Sequence, residues 1–134
     1  MEKRFKKSLD SLNSIFQFTD EFATKHNLDP GALFSLNLVV EELFTNIVKY
    51  NPENKNDVLI ELDKKSHDLI IALTDFDARP FDITQRPTLN LSQYLEERRV
   101  GGLGIHLVKQ MMDKIEHEYK DRCSKIILTK HLEN

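Results

Sequence analysis

A lone cysteine, Cys123, is all the thiol chemistry in these 134 residues, so no internal disulfide can form. That usage fits a reducing cytoplasm, which is the expected compartment, and Cys123 reads as a small buried residue near a strand start. An excess of one charge is also missing, since 19 lysines and arginines face 22 aspartates and glutamates for a formal charge of -3. No strongly basic surface is therefore offered to nucleic acid or acidic lipid, and neither is expected as a partner. Met1 to Lys7 is basic, but Asp10, Asn13, Ser14 and Gln17 interrupt Ser8 to Phe18, so no signal-peptide core follows. No stretch is expected to be long and apolar enough to span a bilayer, and no membrane association is expected. Metal-ligand spacing is lacking too, because His26, His67, His106, His117 and His131 are scattered. What remains, 40% hydrophobic and 31% charged residues, suits one globular domain over residues 1–134 and is too short for two.

Asp10 to His26 carries Leu12, Ile15, Phe16, Thr19, Phe22 and Ala23 at helical spacing, and Asn27 with the Asp29-Pro30-Gly31 turn ends that helix. A second helix is predicted from Ala32 to Tyr50, stopping at Asn51-Pro52 because the residue before proline disfavours helical geometry. Val58 to Leu62 and Leu69 to Thr74 are short apolar runs around a polar Asp63-to-Asp68 connection, which predicts an antiparallel hairpin. Asp75 to Val100 is irregular, with Pro80, Pro87 and a Glu96-Glu97-Arg98-Arg99 cluster, apart from a short helix over Ser92 to Arg99; a connection of that length reads as a lid. Ile105, Leu107, Val108, Met111, Met112 and Ile115 predict a third helix, and Lys125 to Lys130 a last strand. The order predicts an α+β two-layer sandwich, with helices on one face of a mainly antiparallel sheet.

Glu42 and Asn46 lie one helical turn apart, at the border of the apolar stripe formed by Leu36, Val40, Leu43 and Ile47. A carboxylate and a carboxamide there are costly unless something polar satisfies them. The pair suits a hydrated cation, a phosphate-bearing ligand or a proton transfer; the plainer alternative is a surface glutamate beside an asparagine. Three of the four glycines fall within Gly101-Gly102-Leu103-Gly104, just before the third helix. Glycines leading into a helix let backbone N–H groups and the helix start approach phosphates, although a lid hinge would use the same residues. The spacing matches neither a Walker A loop nor a dinucleotide fingerprint. At the end of the second strand, Asp75 shares a face with Leu69, Ile71 and Leu73 and would emerge there to meet a ligand's donor. Asp77 is the rival, and either aspartate could be a turn former.

These elements, in this order and over essentially the whole chain, resemble the Bergerat-fold ATP-binding domain shared by gyrase, heat-shock chaperones, histidine kinases and mismatch-repair ATPases. Val40-Glu41-Glu42-Leu43-Phe44-Thr45-Asn46-Ile47 and Gly101-Gly102-Leu103-Gly104-Ile105-His106-Leu107-Val108, with Tyr119 beyond, resemble bacterial anti-sigma-factor serine kinases in particular. The resemblance implies a serine/threonine protein kinase that binds ATP and Mg2+. It assigns Glu42 as the catalytic base and Asn46 as the Mg2+ ligand. Asp75 becomes the adenine contact, with Asp77 beside it, and Gly101, Gly102, Leu103, Gly104, Ile105 and Arg99 the phosphate-binding residues; Arg98 and Lys109 are further charge partners. Histidine kinases typically carry asparagine where this chain has Glu42, and their phosphoacceptor lies on a separate helical domain for which there is no room here. The implied partners are a STAS-type anti-anti-sigma antagonist as substrate and a sigma factor, with homodimers common among relatives. The chain departs from the family where Asp-x-Gly is usual. Counted back from Pro80-Phe81-Asp82, Phe76 takes the adenine slot and Ala78 the glycine slot; strand alternation favours Asp75 with one extra loop residue. That departure motivates an alternative, a nucleotide-binding partner switch without phosphotransfer.

Overall fold

The computed structural model describes residues 1–50, 56–76 and 102–132. In chain order these form β1 (Glu2–Phe5), a 3-10 turn (Leu9–Ser11), α1 (Leu12–Lys25), α2 (Pro30–Tyr50), β2 (Val58–Lys65), β3 (Asp68–Asp75), α3 (Gly102–Met111), β4 (Lys114–Lys120) and β5 (Cys123–His131). The strands make one sheet in the order β1-β2-β3-β5-β4 with every neighbouring pair antiparallel. Helices pack on one side of it, the α+β arrangement expected.

Local chemistry sets the helix ends. Asn27, with φ 51°, closes α1 in a Schellman motif: Leu28 N–H donates to the Ala23 carbonyl at 2.9 Å and Asn27 N–H to that of Thr24 at 3.4 Å. Two residues on, the Asp29 carboxylate accepts from Ala32 N–H at 2.7 Å, and Pro30 supplies the pre-set first position of α2. From α1, Ile15, Phe18 and Phe22 enter the core; from α2 come Leu36, Val39, Val40, Leu43 and Phe44. They meet Val58, Ile60 and Leu62 of β2 and Leu69, Ile71 and Leu73 of β3, one face of the sheet, which the period of two assigns to the interior. Val108 and Met112 close the core from the α3 end.

Several expectations change. β1 had no counterpart in the sequence reading, because four residues with three charges carry no apolar alternation beyond Phe5. β4 was read as the tail of the third helix, yet α3 ends at Met111 and the chain turns back as a strand from Lys114. The hairpin of β4 and β5 turns through Asp121 and Arg122, both at positive φ (51° and 64°), so no glycine or asparagine announces it. Hairpin β2–β3 is tighter than expected, with Lys65 paired to Asp68 and only Ser66 and His67 between them. Helix α2 also overturns the expectation about apolar stretches, since Pro30–Lys49 is long and apolar enough to cross a membrane, with mean hydropathy 1.3. Leu36, Val39, Val40, Leu43 and Phe44 instead line the core while Phe34 stays 66% exposed, and Glu41, Glu42 and Asn46 interrupt its C-terminal half. Cys123 opens β5, half-buried rather than buried. The helix stop at Asn51-Pro52, the lid and its short helix lie outside the described residues.

Candidate functional site

Helix α2, which carries Glu42 and Asn46, packs against both β3 and α3. On α2, Glu42 and Asn46 are half-buried, flanked by Leu43 and Phe44 of the core. This is the border position the helical wheel predicts. Burial, reinforced by the neighbouring Glu41 charge and opposed by Lys49, holds the Glu42 carboxyl above the ordinary carboxylate range. A carboxylate so placed is a stronger base than a solvated one. Thr45 Oγ1 donates to the Glu42 carbonyl at 3.1 Å, a back-bond one turn down the helix.

α3 packs against α2. Its first turn is the backbone of Gly102, Leu103, Gly104 and Ile105, so the glycine segment leads into a helix start beside the helix that carries Glu42 and Asn46. Lys109, one turn further, has its ammonium held below the ordinary lysine range by partial burial. Asp77, Arg98, Arg99 and Gly101 lie outside the described residues.

Asp75 ends β3 on the helix-facing side, and its cross-strand register forms one rung: Phe5, Val58, Asp75, Ser124 and Tyr119. Its side chain is 5% exposed and ion-paired with Lys7 Nζ, whose own side chain is 1% exposed. Phe76 goes elsewhere. Its ring lies 4.6 Å from the Arg4 guanidinium, and Arg4 belongs to the neighbouring rung with Leu59 and Thr74, on the opposite face. Of the two registers the sequence left open, the geometry gives the helix-facing position to Asp75.

Sequence reasoning missed Lys7. It follows β1 by two residues and pairs with a side chain 68 positions away, so neither periodicity nor spacing could have joined them. A tight turn fixes its backbone: Ser8 N–H and Ser11 Oγ both donate to the Lys6 carbonyl, at 2.7 and 2.8 Å, and Ser8 Oγ accepts from Asp10 N–H at 3.3 Å.

The arrangement offers a base, a carboxamide oxygen, backbone donors at a helix start and a buried acceptor. Mg2+ commonly takes one or two protein oxygens and completes its shell with phosphates and water. Asn46 fits that limited demand; among the described residues no group of three or more His, Cys, Asp or Glu could hold a metal by itself.

The chain is 26% identical over 116 residues to the serine-protein kinase RsbW of Listeria innocua, spanning 82% of this chain and 73% of that protein. Among solved structures it superimposes on a chain of the SiaB-SiaC complex from Pseudomonas aeruginosa with a TM-score of 0.67. At 13% identity over 97% of this chain and 87% of that one, this is a likeness of fold. Residues 5–130, nearly the whole chain and all five strands in whole or part, match the histidine kinase-like ATPase domain. The chain belongs to the histidine kinase-like ATPase domain family.

Proposed function

We propose that this chain is an ATP-dependent serine/threonine protein kinase of a cytoplasmic partner-switching system, with an anti-anti-sigma-type protein as its substrate and a sigma factor as its alternative partner. The observation that carries the reading is Glu42, a half-buried carboxyl pushed above its ordinary range one turn from Asn46 on a helix packed against the glycine-led α3. Similarity to a serine-protein kinase supports the direction of the chemistry.

Phosphoryl transfer asks little of a protein beyond alignment, charge neutralisation and a group to take the hydroxyl proton. Glu42 accepts that proton from the partner's serine or threonine. Asn46 would hold Mg2+ through its carboxamide oxygen, and the ion would supply charge neutralisation at the phosphates. Asp75 accepts from the exocyclic amino group of adenine, and the Gly102–Gly104 backbone donates to phosphate oxygens. Pairing as a homodimer belongs to the same proposal.

Glu42→Gln keeps the shape and removes the base. It is expected to bind ATP with Mg2+ as the wild type does, by isothermal titration, and to lose transfer to a partner captured by pull-down and identified by mass spectrometry of phosphoserine or phosphothreonine. Undiminished phosphorylation by the variant refutes the assignment. The second reading, a nucleotide-binding switch that sequesters its partner without phosphotransfer, draws on the departure from Asp-x-Gly at Asp75-Phe76-Asp77. It takes over if the wild type binds ATP and the captured partner carries no phosphate.

A further inference from the structure

Charge is spread unevenly over the helix layer. Along α1 from Leu12 to Thr24 the charged residues are Asp20 and Glu21, and along α2 from Pro30 to Val48 they are Glu41 and Glu42, so neither helix carries a cation before Lys25 and Lys49 in their last turns. With 19 lysines and arginines against 22 aspartates and glutamates in the whole chain, that one-sidedness is local rather than compositional. The hydrogen bond of 2.5 Å from Thr19 Oγ1 to Asn37 Oδ1 fixes which flanks of the two helices meet. On α2, Phe34, Asn37, Leu38 and Glu41 follow the i, i+3, i+4, i+7 spacing of one face, opposite the core stripe of Leu36, Val40 and Leu43. On α1, Phe16 and Asp20 stand one turn apart beside Thr19, on the flank away from Phe18 and Phe22, which enter the core. Lys25 follows Phe18 by two turns and so belongs to the flank turned toward the sheet. Phe34 is 66% exposed, Phe16 and Leu38 are half-buried, and Asp20 and Glu21 are exposed. A single exposed phenylalanine is ordinary, but one that continues into Leu38 and Phe16 along a seam bordered only by acids is a patch with a definite chemistry.

We propose that the outer seam between α1 and α2 is a docking surface for a basic amphipathic helix of a protein partner, with Phe34 as the apolar anchor and Asp20, Glu21 and Glu41 as the ionic rim. Charge complementarity selects that occupant. Nucleic acid and anionic lipid bring negative charge to an acidic surface and are repelled. A second copy presenting the same face sets acid against acid. A helix with large aliphatic residues one turn apart matches Phe34 and Leu38, and lysines or arginines beside them meet the carboxylates on either side. None of the residues named in the surface belongs to the set proposed to bind nucleotide or move the proton, so the inference stands apart from the phosphotransfer reading.

The probe is a fluorescein-labelled synthetic peptide of about four helical turns, with leucines at i, i+3, i+4, i+7 spacing and lysines beside them, read by fluorescence anisotropy against the full chain. Two twins control it, one with every lysine replaced by glutamate and one with every leucine replaced by glutamine. Wild type is expected to bind the parent peptide at least about tenfold tighter than either twin, because the surface offers both an apolar anchor and an acidic rim. Phe34→Gln, a change at an exposed position, is expected to weaken the parent at least about fivefold and leave the glutamine twin unmoved. Asp20→Lys with Glu21→Lys is expected to weaken it at least about tenfold at low salt, with a smaller loss at high salt. Wild type that binds no peptide, or that binds the glutamine twin as well as the parent, overturns the proposal. So does parent binding that neither variant weakens, since the peptide then sits elsewhere. Wild type that binds no peptide but sediments as a dimer broken by Phe34→Gln overturns it too and gives the seam to a second copy.

Discussion

The buried pair makes a demanding prediction about stability. Asp75→Leu leaves the buried Lys7 ammonium without its carboxylate, and Lys7→Met takes the ammonium from the buried Asp75 carboxylate. Removing one partner of a buried pair costs roughly 3–5 kcal/mol. Against a typical total of about 5–15 kcal/mol, either change brings the domain close to unfolding. The double variant Lys7→Met with Asp75→Leu removes both charges and is expected within about 1.5 kcal/mol of wild type, although the two singles would sum to roughly 6–10.

Urea unfolding followed by circular dichroism at pH 7 measures all three variants. Singles that each cost under about 1 kcal/mol, or a double variant no more stable than either single, would refute the reasoning.

Two further expectations use other parts of the molecule. Arg122 and Asp121 sit at φ 64° and 51° between Lys120 and Cys123, so Arg122→Gly relieves a left-handed position in the β4–β5 turn; after the entropy of glycine is subtracted, a gain of about 0.5–1 kcal/mol is expected in the same urea assay, and a loss would show the turn to be unstrained. Glu41 helps hold the Glu42 carboxyl above its ordinary range, second to burial. Under the proposed function, Glu41→Gln shifts the acid limb of the phosphotransfer pH–rate profile to lower pH, part of the way only because burial remains, and an unmoved limb would remove Glu42 from the proposed proton transfer.

The central helices and strands were legible because their residues state their own environment. α1, α2, β2 and β3 each carry a periodic apolar face, and Ile15, Phe22, Val40, Ile60 and Ile71 of that pattern are fully buried; on α1 the pattern took Phe16, which is half-buried, where Phe18 is the one that enters the core. The edges were not. β1 and β4 are edge strands, and β4 alternates charge with only Ile115 as a large aliphatic residue, itself 40% exposed. With Met111 and Met112 extending a helical period up to it, Ile115 read as one more turn of α3. A strand that buries little gives little signal, and a hairpin that turns through Asp121 and Arg122 lacks the residues by which such turns are recognised.

The site divides the same way. Glu42 and Asn46 could be read because one helix sets their separation, and the glycine segment because it precedes another helix. The partner of Asp75 could not, because sheet topology rather than sequence brings it there. β1 pairs with β2 and β2 with β3, so Phe5, Val58 and Asp75 fall on one rung, and Lys7, two residues past Phe5, arrives beside the carboxylate. The strand that was hardest to see is the one that delivers the charge. That register also gives the helix-facing position to Asp75: a strand places consecutive side chains on opposite faces, so Phe76 is left to stack with Arg4 on the other.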